Sequence, residues 1–140
     1  MDKFGDAYAV LPFGNDTVTR TVTGSQLWAM LEHSVEALPA PAGWFGQVSG
    51  IKVTFDSSKP AKSRVVAVAL SDGTPIAPNE QSYTMATSDF IHAGGDGYGM
   101  LKGAAGVVRD KMAEVLIEHI KGLGTIAPAI EGRLVDQAGQ

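Results

Sequence analysis

The pattern of apolar and polar positions predicts strands and helices in turn along the 140 residues. Over residues 16–22 threonines alternate with valines, which predicts a strand with one buried face. Thr23 and Gln26 then have the spacing of a capping box, and an apolar stripe of helical period follows. A helix is therefore predicted over 25–38. Its stripe consists of Leu27, Leu31, Val35 and Leu38.

Four further segments have the composition of strands or turns. Residues 51–56 alternate between apolar and polar side chains, which predicts a half-buried strand. Residues 64–70 are almost continuous valine and alanine, which predicts a strand that is covered on both faces. Asp72-Gly73 predicts a two-residue hairpin turn. Alternation over 83–87 predicts another strand, which leads directly into a glycine-rich loop.

The last third of the chain predicts one more helix and an extended segment. An apolar stripe of helical period predicts a helix with its C-cap at Gly122. Residues 126–134 are expected to be extended and docked on the domain, and 135–140 to fray. The order of elements predicts an α+β fold with a mixed β-sheet core and two main helices packed on it. The last helical stripe consists of Val108, Met112, Val115, Leu116 and Ile120.

Composition narrows the class of protein and of partner. The chain is 44% hydrophobic and 19% charged, which is typical of a globular domain and not of a disordered segment. A net charge of -4 without a basic run argues against nucleic acid as a partner, but not against a single nucleotide. There are no cysteines, which excludes disulfides and leaves the compartment open. We expect no membrane span, and no signal peptide is visible.

The candidate chemistry lies in the glycine-rich loop at 89–98. Gly94 and Gly95, with a third glycine nearby, predict a backbone with positive φ or a close approach by another group. Such a loop would present the carboxylate of Asp96 beside the aromatic ring of Phe90, which suits a flat, polyhydroxylated ligand such as a nucleoside. The alternative is an ordinary turn in which Asp96 bonds its own backbone, and the loop alone favours it.

No catalytic motif or metal site is predicted in this chain. The histidines His33, His92 and His119 fall on separate elements without the paired spacing of metal ligands. His33 lies off the apolar stripe of its helix, so it is expected to be partly exposed. Residues 94–97 lack the ladder of oxygen ligands of an EF-hand, so calcium is a weak alternative. A nucleophile elbow, a phosphate-binding loop and a dinucleotide fingerprint are all absent from the sequence.

Six short motifs follow one another in a familiar order. Each motif alone is weak evidence, but the ordered set covers nearly the whole chain. The set resembles the C-terminal domain of the bacterial and animal 5'-nucleotidases, a family that includes UDP-sugar hydrolases and ecto-5'-nucleotidases. The motifs are Leu11-Pro12-Phe13-Gly14-Asn15, Thr23-Gly24-Ser25-Gln26-Leu27 with Glu32-His33-Ser34-Val35, Gln47-Val48-Ser49-Gly50-Ile51-Lys52-Val53, Ser63-Arg64-Val65-Val66, Gly94-Gly95-Asp96-Gly97-Tyr98 and Pro128-Ala129-Ile130-Glu131-Gly132-Arg133.

The resemblance implies how a nucleotide or nucleoside would be held. By resemblance, Phe13 and Phe90 sandwich the base, and Asp96 accepts hydrogen bonds from the ribose hydroxyls beside the backbone of Gly94 and Gly95. Stacking on aromatic faces is worth roughly 1–3 kcal/mol per base and tolerates different bases. A carboxylate gives charge-assisted bonds to hydroxyls. Without the motifs, ordinary core packing would be expected for both phenylalanines.

The resemblance also implies a division of labour in a longer parent protein. Residues 1–134 are expected to be the substrate-binding domain, followed by a frayed tail at 135–140. Hydrolysis is expected from an N-terminal metallophosphoesterase domain that is absent from this chain and carries a pair of divalent metal ions. This chain alone would then be inactive and hold no cofactor. The parent is expected to be a bacterial 5'-nucleotidase that is periplasmic, at the cell surface or secreted.

Two alternatives remain open at the level of sequence. In the first, the parent acts on cyclic nucleotides, UDP-sugars or sulfur compounds. As a departure from the family pattern, Asp89 and Ala93 stand where asparagine is common in relatives. A protein-interaction module of the same fold would instead bind no nucleotide, and an exposed Trp44-Phe45 pair would fit that function.

Overall fold

A computed structural model describes residues 3–139. None of the helices in this range has the length and apolar composition needed to cross a membrane. The helices are α1 (Lys3–Val10), α2 (Gly24–Val35), α3 (Asp89–His92) and α4 (Met112–Leu123). The strands are β1 (Asp16–Thr23), β2 (Ile51–Phe55), β3 (Val65–Leu70), β4 (Ser82–Ser88), β5 (Val107–Lys111) and β6 (Leu134–Asp136). Two short 3-10 turns, Gly95–Gly97 and Gly99–Leu101, follow α3.

The strands form two three-stranded sheets. The first has the order β4-β1-β5, and both of its pairings are antiparallel. The second has the order β3-β2-β6, in which β2 runs antiparallel to β3 and parallel to β6. The predicted α+β class with mixed β structure and two main helices is confirmed. The structure adds that the strands are divided between two sheets, of which only the second is mixed.

Helix α2 carries the main core of the protein. The hydroxyl of Thr23 accepts from the backbone N–H of Gln26 at 3.1 Å, and the Gln26 side chain accepts from the backbone N–H of Thr23 at 3.0 Å. The predicted capping box is therefore confirmed. The helix ends at Val35, three residues before the predicted end. The core cluster consists of Leu27, Leu31, Val35, Val53, Phe55, Val65, Val68 and Ile76.

Polar contacts join the end of α2 to the start of β3. The carboxylate of Glu32 accepts the backbone N–H groups of Arg64 at 3.0 Å and Val65 at 2.7 Å. The guanidinium of Arg64 in turn satisfies carbonyl groups that the helix end leaves free. Its Nη1 lies within 3.0 Å of the carbonyl oxygens of Val35, Glu36 and Leu38.

Strand β5 takes the place of the predicted start of the last helix. Val108 pairs with Val18 of β1, and α4 begins only at Met112. The four-residue spacing from Val108 to Met112 fits a helix by coincidence, whereas two successive β-branched valines favour a strand. The predicted C-cap is also displaced, because Gly122 lies inside α4 and Gly124, with a φ of 77°, ends it.

The hairpin at β3 differs from the prediction in two respects. The strand is not covered on both faces, since Val66 is 38% exposed. The turn has three residues and not two. Leu70 donates its N–H to the carbonyl of Thr74 at 2.8 Å, and Gly73 donates to the carbonyl of Leu70 at 2.9 Å. Gly73 has a φ of 91°, as the last residue of such a three-residue loop requires.

The C-terminal segment also differs from the prediction. Residues 126–131 do not dock, since all of them are exposed and Ile130 is fully so. The chain does not fray at residue 135, because β6 pairs with β2 and the N–H of Gln137 donates to the carbonyl of Phe55 at 2.8 Å. β6 therefore pairs with the edge of β2 that β3 leaves free, and the hydrophobic pattern did not predict this pairing.

Candidate functional site

The two segments that carry the predicted aromatic residues meet at one end of the first sheet. The side-chain amide of Asn15 donates a 2.8 Å hydrogen bond to Oδ1 of Asp89. Phe13 lies two residues before Asn15, and Phe90 directly follows Asp89. Phe13 is 87% exposed and Phe90 is 51% exposed, so neither is an ordinary core residue. The structure thus brings two solvent-facing aromatic residues onto neighbouring segments, the loop at 11–15 and the short helix α3.

The loop at 11–15 is held by the end of β5 and the first residue of α4. Lys111 donates to a carbonyl oxygen of the loop at 3.1 Å and forms an ion pair of 2.8 Å with Asp16. The hydrogen bond and charge of Asp16 raise the pKa of Lys111. The backbone N–H of Met112 donates to the carbonyl of Asn15 at 3.0 Å. The loop is therefore fixed at its C-terminal end.

Asp89 connects this loop to the short helix α3. Its Oδ1 also accepts the backbone N–H of Phe90 at 2.9 Å. The hydrogen bond from Asn15 is the main cause that lowers the pKa of Asp89, and it favours the carboxylate. Ser88 caps the helix, since its hydroxyl accepts the N–H of Ile91 at 3.1 Å. Asp89 thus serves as the acceptor for Asn15.

The glycine-rich loop has the left-handed backbone that its composition predicts. The φ angles are 92° at Gly94, 54° at Asp96 and 84° at Gly97. A Cβ at Gly95 would lie 2.6 Å from the ring of Phe90, so this close approach requires glycine. Asp96 is exposed, and its carboxylate makes no hydrogen bond or ion pair within residues 3–139. The loop therefore presents one free carboxylate next to a supported aromatic ring.

His33 of α2 supports this loop from the protein side. Its Nε2 lies 2.7 Å from the carbonyl oxygen of Asp96, and its Nδ1 lies 2.9 Å from Oε1 of Glu36. The ring stacks on Trp44 with centroids 5.7 Å apart and meets Tyr98 edge-on at 4.6 Å. The side chain is only 16% exposed. The sequence gave no sign that this histidine touches the glycine loop.

Known proteins are similar to this chain in sequence and in fold. The family model described as "5'-nucleotidase, C-terminal domain" matches residues 3–103. The chain belongs to this family. A snake venom 5'-nucleotidase of Crotalus adamanteus is 37% identical over 139 residues, which cover 94% of this chain and 24% of that protein. The solved 5'-nucleotidase precursor of Thermus thermophilus is 37% identical with a TM-score of 0.88, over 98% of this chain and 28% of that one.

The relatives of this 5'-nucleotidase C-terminal domain are much longer proteins from different kinds of organism. A trifunctional nucleotide phosphoesterase protein, YfkN of Bacillus subtilis, is 34% identical over 93% of this chain, but only 9% of that protein is covered. The chain spans about a quarter of the length of the snake venom relatives. Since relatives occur in snakes and in bacteria, they leave the predicted bacterial source undecided.

Tyr98 and Trp44 tie a second loop of this 5'-nucleotidase C-terminal domain to the glycine loop. The hydroxyl of Tyr98 donates to the carbonyl of Trp44 at 2.6 Å. Burial is the main cause that raises the pKa of Tyr98, and the charges of Asp96 and Glu36 raise it further. Trp44 and Phe45 are half-buried, so the exposed pair that an interaction module would use is not present.

Arg20 is a buried cation that sequence patterns did not single out. It lies on the same face of β1 as Val18 and Val22 and is 4% exposed. Its Nη1 donates to the carbonyl of Leu101 at 2.7 Å and lies 3.2 Å from Nδ1 of His92, while Nη2 has no partner in the described range. Burial lowers the pKa of Arg20. A charged residue on the apolar face of a strand could have drawn attention to this anchor.

The described residues also bear on metal binding. Within residues 3–139 of this 5'-nucleotidase C-terminal domain, no three histidine, aspartate or glutamate side chains lie close enough together to hold a metal ion.

Proposed function

We propose that this chain is the nucleotide-binding part of a 5'-nucleotidase-type phosphohydrolase. The base would stack between Phe13 and Phe90, and the ribose hydroxyls would bond to Asp96. The observation that supports this most is the hydrogen bond between Asn15 and Asp89, because it joins the two segments whose aromatic rings are exposed. Large apolar side chains held in water beside a polar group are typical of a binding site.

The two aromatic rings would supply most of the affinity for the base. A base that stacks on exposed Phe13 and Phe90 gains roughly 1–3 kcal/mol and removes both rings from water. Stacking reads the flat face of a base and not its hydrogen-bonding edge. Low discrimination between bases follows from this mode of binding.

Asp96 would recognise the sugar. Its carboxylate is exposed and has no hydrogen bond within the described chain, so it can accept hydrogen bonds from two hydroxyl groups. The left-handed φ of 54° and the contact with His33 fix the backbone at this residue before any ligand arrives. Such preorganisation lowers the entropic cost of binding. Gly94 and Gly95 allow the sugar to approach the backbone closely.

We assign hydrolysis to another part of the parent protein. The chain spans about a quarter of the length of the venom relatives, which leaves room there for a metallophosphoesterase domain. A pair of divalent metal ions in that domain would activate water and neutralise the phosphate. The partners of this chain are then a nucleotide or nucleoside and that N-terminal domain. We further propose that the parent is exported, which the similarity to venom proteins supports.

A titration of adenosine and AMP into the isotope-labelled chain tests this proposal. We expect amide shifts at Phe13, at Phe90 and over 94–98, and we expect Phe90→Ala to abolish them. Val66→Ala removes an exposed apolar side chain from β3 and is the matched control, which should bind like the parent sequence. Binding must be weaker than millimolar, on the order of -4 kcal/mol, to escape this measurement. Unchanged spectra with both ligands, in this chain and in the full parent protein, would refute the proposal.

A further inference from the structure

We propose that His33 is a positioning residue for the glycine-rich loop and that it acts in its doubly protonated form, between the Asp96 carbonyl and the Glu36 carboxylate. The inference rests on the proposed function, because it concerns the loop that would hold the ribose. It adds that ligand binding at this loop depends on one proton, the second proton of the His33 ring.

When Glu36 is ionised, each ring nitrogen of His33 faces an oxygen atom that can accept a hydrogen bond but has no proton to donate. Nε2 lies 2.7 Å from the carbonyl oxygen of Asp96, and Nδ1 lies 2.9 Å from the Glu36 carboxylate. A neutral imidazole carries one N–H and can donate at only one of these positions, whereas an imidazolium carries two. Only the charged ring satisfies both contacts.

An aromatic face and three titratable residues surround the ring. Trp44 stacks nearly parallel to it at a centroid distance of 5.7 Å, inside the roughly 6 Å range of cation–π interactions. The titratable residues that contact the ring are Glu36 at the C-cap of α2 and, on the glycine loop, Tyr98 through its ring and Asp96 through its backbone carbonyl. The loop that carries Trp44 adds no titratable side chain over 43–47. The Glu36 carboxylate is therefore the acidic group in direct contact with the ring.

The ring and the left-handed turn fit together. A Cβ at residue 97 would lie 2.8 Å from Cε1 and Nε2 of His33, so the imidazole occupies the space that any larger residue than Gly97 would need. The same ring holds the carbonyl of Asp96, whose φ is 54°. Loss of the contact at Nε2 would free the backbone that sets the direction of the Asp96 carboxylate.

Deprotonation of His33 makes Glu36 and the Asp96 carbonyl compete for one N–H. The carboxylate is the stronger acceptor, because bonds to charged groups are stronger than bonds to neutral ones. The remaining proton therefore stays on Nδ1, and the lone pair of Nε2 then faces the Asp96 carbonyl. The loop loses its support, so affinity for a nucleoside falls as the pH rises.

The variant Glu36→Gln tests the charge on His33 separately from the contact between Nε2 and the Asp96 carbonyl. A glutamine at this position can donate its amide N–H to Nδ1, which leaves the proton of a neutral ring on Nε2 for the Asp96 carbonyl. The loop is then held without charge on His33, and the pH dependence disappears. Glu118→Gln on α4 removes an acidic group that is 72% exposed and is the matched control.

The experiment follows the histidine nitrogens, the amides of Asp96 and Gly97 and the adenosine affinity of the 140-residue chain between about pH 5 and 8, where histidines change charge. We expect both nitrogens of His33 to be protonated at low pH. We expect the two amides to shift with the same midpoint, and affinity to fall about fivefold as the proton leaves. Glu36→Gln should remove the shifts and the fall, while Glu118→Gln should keep both.

Two outcomes would overturn the inference: a His33 ring that is neutral throughout this range, or amides of Asp96 and Gly97 that ignore its protonation. If the amides follow His33 but adenosine does not bind in any variant, the positioning of the loop stands and the proposed nucleoside site fails.

Discussion

The carboxylate of Asp89 accepts a 2.8 Å hydrogen bond from the amide of Asn15, and this contact joins the two segments that carry the exposed phenylalanines. Asp89→Ala should weaken adenosine binding about fivefold to tenfold, since one part-buried hydrogen bond that orders the site is lost. Asp89→Asn keeps an oxygen that can accept from Asn15, so its affinity should stay close to that of the parent sequence. Titrations that show equal losses in both variants would contradict this role.

The same contact makes stability depend on pH in a defined direction. The hydrogen bond from Asn15 lowers the pKa of Asp89 in the folded state. The stabilisation is therefore fully present above the unfolded pKa of about 3.9 and is lost as the pH falls through the lowered folded value. Urea unfolding across this acid range should show a smaller loss for Asp89→Asn than for the parent sequence. Parallel pH profiles of the two proteins would argue against the assignment.

Gly97 in the glycine-rich loop and Gly99 just after it should respond differently to substitution by alanine. Gly97 has a φ of 84°, and its added Cβ would meet the His33 ring at 2.8 Å, whereas a Cβ at Gly99 would meet nothing within 4 Å. Gly97→Ala should lower the free energy of unfolding by about 1–2 kcal/mol from backbone strain alone. Gly99→Ala should leave it within about 0.5 kcal/mol. Chemical unfolding monitored by tryptophan fluorescence measures both, and equal effects would be inconsistent with the contact.

Arg64 should be sensitive even to lysine. Its Nη1 serves three carbonyls at the end of α2, and its Nε donates to the carbonyl of Lys59 at 2.8 Å. A lysine cannot reproduce this planar fork, so Arg64→Lys should cost about 2 kcal/mol of unfolding free energy. Arg109→Lys is the matched control, because Arg109 is exposed and its Nε donates to one hydroxyl, that of Thr19. Thermal unfolding of both variants gives the comparison.

Local signals in the sequence predicted much of the fold. The capping box of Thr23 and Gln26 and the alternation in β1 depend on neighbours within a few residues, and both are confirmed. Val108 shows how such a signal fails, because a spacing of four residues to Met112 suits a helix while pairing with β1 makes it a strand. Propensity over a short window cannot weigh a partner strand about 90 residues away.

The candidate site was predicted only in its exposed parts. The order of motifs singled out Phe13, Phe90 and Asp96, which face solvent in the structure. The contacts that hold them lie between residues far apart in sequence. Asn15 and Asp89 are separated by 74 positions, and His33 and Asp96 by 63. A single sequence contains no record of such pairs, so these supports became visible only in three dimensions.

The parallel strand β6 has a consequence for folding during synthesis. The N–H of Val53 in β2 donates to the carbonyl of Arg133 at 2.7 Å, and β6 follows at once. About eighty further residues must therefore be synthesised after β2 before its second edge can be paired. Translation proceeds at roughly 5–20 residues per second. For several seconds the nascent chain carries an unpaired sheet edge, which is exposed to pairing with other chains until β6 is made.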